Sequence, residues 1–105
     1  MKLFTKAIYD RLVQNHKNQD GTKSFNVVVK LFNPTGIGTW YLTEYDPVSD
    51  MAFGLCNVGV KEIGYAHMKE LKEVKGRFGL GIERDKFFES NKKTLEECRS
   101  LWHFI

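Results

Sequence analysis

Apolar side chains recur at every second position through residues 25–32. Phe25, Val27, Val29 and Leu31 alternate with Asn26, Val28, Lys30 and Phe32. A period of two predicts a strand whose odd positions face the core. The stretch 38–55 predicts the centre of the fold, as two strands joined by a polar turn. Residues 39–45 are β-branched or aromatic at five of seven positions, which suits a pleated, half-buried surface. Asp46-Pro47-Val48-Ser49-Asp50 interrupts the pairing, because Pro47 has no N–H and Asp and Ser side chains bond to nearby backbone. Residues 51–58 return as the partner strand. Simple alternation puts Trp40, Leu42 and Glu44 on one face of the outgoing strand, with Tyr41, Thr43 and Tyr45 on the other. On the return strand Met51, Phe53 and Leu55 oppose Ala52, Gly54 and Cys56. Small residues mark where a helix packs closely, so both faces are expected to be partly covered.

A helical pattern occupies residues 5–15, with Thr5 as a cap and Ala7, Ile8, Leu12 and Val13 along one side. The polar run 15–24 follows as a loop, with Asp20-Gly21 as a turn. Residues 59–65 predict a short strand. Residues 67–75 predict a short helix lined by Met68, Leu71 and Val74 and stopped by Gly76. A last strand is expected over residues 80–88. Thr94-Leu95-Glu96-Glu97 is a capping-box sequence that opens a final helix. The apolar tail, Leu101 to Ile105, is expected to fold back with Trp102 as its anchor. Together these elements predict a single α+β domain over residues 1–105. Its core is an antiparallel sheet of four to five strands with helices packed mainly on one face.

Composition refines this picture without changing it. A chain of 105 residues, 42% apolar and 28% charged, can bury one core without staples. Eight phenylalanines among 13% aromatics point to a core built on rings. The two cysteines, Cys56 and Cys98, form no CxxC pair and read as buried reduced thiols. Residues 1–6 hold no signal-peptide apolar region and no stretch has the length of a membrane span, so a cytoplasmic location and no membrane partner are expected. A net charge of +3 is mild. Lys69, Lys72, Lys75 and Arg77 form a basic strip interrupted by Glu70 and Glu73, a sparse footprint for a nucleic acid.

Carboxylates are the polar groups that recur on the predicted strands. Glu44, Glu62, Glu83 and Asp85, flanked by Trp40 and Tyr65, are the candidate site residues. If they converge they could hold a hard cation such as Mg²⁺. If they pair with Lys30, Arg84 or other bases, they are a solvated sheet face. His67 beside Glu70 reads either as a general base or as a helix-start histidine. The serines lie in no nucleophile-elbow context, and the glycine-rich pieces lack the spacing of a phosphate cradle. The sequence therefore calls for no metal centre and no cofactor.

Several blocks taken together resemble a bacterial family known as domain of unknown function 2958. They are Met1-Lys2-Leu3 with Thr5, Trp40-Tyr41-Leu42-Thr43-Glu44-Tyr45-Asp46-Pro47, Phe53-Gly54-Leu55, Glu62-Ile63-Gly64-Tyr65, Glu70-Leu71 and Gly79-Leu80-Gly81-Ile82-Glu83-Arg84-Asp85. The likeness departs after Asp85. It implies a protein encoded near plasmid or other mobile-element genes, and it transfers no catalytic residue. The expectation is a non-enzymatic interaction module with a protein partner. Its rival is a metal-dependent hydrolase or nuclease that uses Glu44, Glu62, Glu83 and Asp85.

Overall fold

The computed structural model describes residues 2–101. The expected packing of the tail on Trp102 lies outside the described residues. Thr5 opens the first helix, its hydroxyl accepting from the Ile8 N–H at 3.2 Å. One of the orphan N–H groups of the first turn is thereby satisfied. Helix α1 runs Lys6–Asn18 and buries Leu12 and Asn15. It continues past residue 15, and Gln19 closes it in an extended conformation.

Five strands make one antiparallel sheet: β1 (Val29–Phe32), β2 (Thr39–Asp46), β3 (Met51–Asn57), β4 (Lys61–His67) and β5 (Glu83–Arg84). Their order is β4-β3-β2-β1-β5. The first four form a meander, and β5 lies at the far edge beside β1. Helix α2 (Met68–Glu73) follows β4 directly and buries Met68 and Leu71. The Met68 N–H donates to the Asp50 carbonyl at 3.0 Å and the Lys69 N–H to the Asp50 carboxylate at 2.9 Å. The β2–β3 turn thus supplies the cap that the helix's own sequence lacks. Helix α3 (Leu95–Leu101) starts with the expected reciprocal box. Thr94 N–H donates to Glu97 Oε1 at 3.1 Å, and Glu97 N–H to Thr94 Oγ1 at 3.2 Å.

The sheet separates two apolar clusters. The larger contains Leu12 of α1, Met68 and Leu71 of α2, and Val29, Leu31, Trp40, Leu42, Tyr45, Ala52, Ala66 and Ile82. The smaller contains Val27, Tyr41, Leu55 and Cys98 of α3, with Phe88 and Leu95 against it. Alternation along β2 puts Trp40 and Leu42 on one face and Tyr41 on the other, so the two clusters lie on opposite faces. Two of the three helices pack on the larger side.

The alternation of residues 25–32 is cut short in the structure. Val27 exchanges backbone bonds with residues 91 and 93, its N–H to Lys93 O at 2.7 Å and its carbonyl from Asn91 N at 2.9 Å. That pairing holds Val27 on the α3 side, while Val29 and Leu31 face the larger core. Phe25 is half-buried and outside any strand. The expected strand over 80–88 shrinks to Glu83–Arg84 for a local reason. Residues 76–80 close a turn, with Gly76 N–H on Leu80 O at 2.7 Å. Beyond the strand, Asp85 accepts from Phe87 N–H at 2.9 Å and turns the chain away. No helix among the described residues is long and apolar enough to cross a membrane.

Candidate functional site

Glu44 lies on the face opposite to the one that alternation predicts. The β2–β3 register runs Leu42↔Gly54 and then Glu44↔Phe53, so one extra residue, Thr43, sits in a bulge. A bulge lets two residues oppose one, and the side chains beyond it change face. Glu44 therefore leaves the face of Trp40 and Leu42. It joins the row Glu44↔Phe53↔Tyr65, which crosses β2, β3 and β4.

Two side chains satisfy the disrupted ladder. Asn15 of α1 donates from its amide to the Thr43 carbonyl at 2.9 Å, and Thr43 Oγ1 donates to the Phe53 carbonyl at 3.3 Å. Asn15 and Thr43 are 6% and 1% exposed, so an unpaired group at either would be costly. The buried asparagine of α1 is thus the residue that holds the bulge.

Gln19, just past the end of α1, organises the other wall. Its carbonyl oxygen accepts from Gly21 N–H at 3.0 Å and Lys23 N–H at 3.1 Å. Its amide nitrogen donates to the Lys23 carbonyl at 2.9 Å and to Glu44 Oε2 at 3.0 Å. A single side chain shapes the loop and fixes the carboxylate. The result is an open hollow of about 280 Å³ lined by Gln19, Gly21, Lys23, Glu44, Phe53 and Tyr65. Glu44 is 8% exposed, while Tyr65 is 69% exposed. The rings of Phe53 and Tyr65 meet edge to face with centroids 5.1 Å apart. The floor is a carboxylate and the rim an aromatic shelf.

Of the six residues singled out from the sequence, Glu44 and Tyr65 come together here. Trp40 is buried in the larger core, and Glu62 pairs across from Cys56 on the same side as Trp40. Glu83 and Asp85 lie at the opposite edge of the sheet from β4. Four strand spacings of about 4.8 Å separate those edges. Asp85 forms an ion pair with Lys30 at 3.6 Å. His67 stands between two carboxylates, Asp50 at 3.4 Å and Glu70 at 3.7 Å. Among the described residues no group of three or more His, Cys, Asp or Glu is arranged to hold a metal ion. Both thiols are pushed above their ordinary range, chiefly by burial, and are free.

A family model described as Protein of unknown function (DUF2958) matches residues 3–98. The chain belongs to that family. The DUF2958 match runs past Asp85, where the likeness in the sequence departs, and takes in the start of α3. It spans every residue that lines the hollow. No curated protein and no solved structure matches the chain. Sequence reasoning missed Gln19, Lys23 and Phe53 as parts of this site. The signal that could have found them is the bulge, and alternating composition does not encode it.

Proposed function

We propose that the protein is a small non-enzymatic interaction module that docks a protein partner on the outer end of the Glu44–Phe53–Tyr65 row. The observation that carries this reading is the exposure of Tyr65 and Ile63, at 69% and 43%, on a strand at the edge of the sheet. Helix α3 covers Tyr41 and Leu55 on this face and leaves β4 open. An edge strand that presents outward apolar and aromatic side chains suits a partner segment, which gains backbone pairing and ring contacts together. Hydrolysis with a metal ion needs several carboxylates around one point. Glu44 on β2, Glu62 on β4 and the Glu83–Asp85 pair at the β5 edge lie apart, and that distribution favours binding. The reading keeps the cytoplasmic location expected from the sequence and makes the module an accessory factor of a bacterial mobile element, the context that the resemblance implies.

A photo-crosslinking side chain at position 65 tests it, in cells of the native host, with position 48 as control. Val48 is 95% exposed in the β2–β3 turn. One discrete crosslinked species at position 65 and none at 48 is the expected outcome. Equal capture at both positions, or none at 65, overturns the reading.

A further inference from the structure

Glu44 is the one charged residue among the buried groups of the described chain, and half of its carboxylate is unclaimed. Oε2 accepts from Gln19, whereas no bond within the described residues reaches Oε1. No buried side-chain oxygen or nitrogen among those residues is without a partner, so Oε1 is not sealed from solvent, and Glu44 lines the hollow. A carboxylate this enclosed gains more from a charged donor than a surface carboxylate does, because water screens it less. Beside it stand two rings in register, one of them largely exposed. Carboxylate and rings together select a cation that can lie flat.

We propose that this hollow binds an arginine side chain presented by the partner, a step that rests on the docking reading above. The aliphatic stem lies along Phe53 and Tyr65, and the guanidinium donates to Glu44 Oε1. Arginine fits better than lysine on three counts. Its head is planar and stacks on an aromatic face, it donates in a fixed fork, and it is less strongly hydrated than an ammonium. The hollow, at about 280 Å³, suits one side chain and not a larger ligand. Lys23 lines the same hollow and opposes the incoming charge. It sits on an exposed loop, where salt screens it. The opposition makes binding weak and reversible, and it gives the proposal a second sign to test.

The experiment is an NMR titration of the full chain with N-acetyl-arginine methylamide and with its citrulline counterpart, a neutral molecule of nearly the same shape. Saturable shifts are expected at the Gln19 side-chain amide, Gly21, Phe53 and Tyr65 with arginine and not with citrulline. Glu44→Gln keeps an acceptor for Gln19 and should weaken binding about tenfold. Tyr65→Ser, at an exposed position that leaves the fold intact, should weaken it as well, and Lys23→Gln should tighten it. Equal shifts with citrulline, or unchanged affinity in Tyr65→Ser, overturn the proposal. Crosslinking at position 65 without arginine selectivity refutes this inference alone. Absence of that crosslink refutes the docking reading beneath it.

Discussion

Asp50 shows how much one turn residue can hold. Its backbone sits at φ +62°, a left-handed conformation that Asp and Asn tolerate better than other non-glycine residues. From there its carboxylate accepts the Tyr45 hydroxyl at 2.5 Å and the Lys69 N–H at 2.9 Å. The Tyr45 bond, then the Lys69 N–H and the charges of His67 and Lys72, hold its carboxyl below the usual range. Burial first, and then the Asp50 bond, push the Tyr45 phenol upward. A carboxyl whose folded pKa is depressed contributes stability above its unfolded value, near 4, and loses it as pH falls through the folded value. Asp50→Asn keeps the backbone preference and removes the charge. It should be less stable than the parent at pH 7, and the gap should close toward pH 2. Asp20 and Asp46 are also lowered, by bonds from Thr22 and from Val48 and Ser49. They act in parent and variant alike, so the difference isolates Asp50. Urea denaturation at both pH values measures it, and a gap that does not change with pH would refute the role of the charge.

At the scale of elements, the bulge in β2 decides where the site lies, and α1 holds the bulge. Removing the Asn15 amide leaves the Thr43 carbonyl buried without its donor. Asn15→Ala should therefore destabilise the fold by about 1–3 kcal/mol. It should also perturb the Glu44 and Phe53 signals more than those around Trp40. A melt and spectrum matching the parent would show that the bulge stands without α1. What the sequence made legible follows the same division. The Thr5 cap, the Asp46–Asp50 breaker and the Thr94–Glu97 box were readable because each is settled within five residues. The antiparallel α+β plan was readable because tight turns force neighbouring strands to pair. The face of Glu44 was not, because it depends on a bond between residues 28 apart in the chain. Nor was the face of Val27, which residues 91 and 93 hold. Alternation reports local geometry, and both errors arise where a distant segment overrides it.

For the whole molecule, the sheet is a partition between two cores of unequal size. Val29, 2% exposed, belongs to the larger and is cross-strand from Leu42. Cys98, 1% exposed, belongs to the smaller and packs with Tyr41 and Leu55. Trimming Val29 to alanine should cost about 1–3 kcal/mol, as for other buried branched side chains. Neighbours that share a cavity couple, whereas sites with no common partner add. In a double-mutant cycle, Val29→Ala with Leu42→Val should depart from additivity by about 0.5 kcal/mol or more. Val29→Ala with Cys98→Ala should add to within about 0.5 kcal/mol, because the backbone of β1 and β2 stands between them. Chemical denaturation of the parent, the three single variants and the two double variants supplies both coupling energies. A large coupling across the sheet would mean that the faces respond as one core. Repacking beneath Trp40 would then reach the Glu44 hollow. Additivity would leave the hollow free to vary, with α1 and the bulge as its link to the larger core.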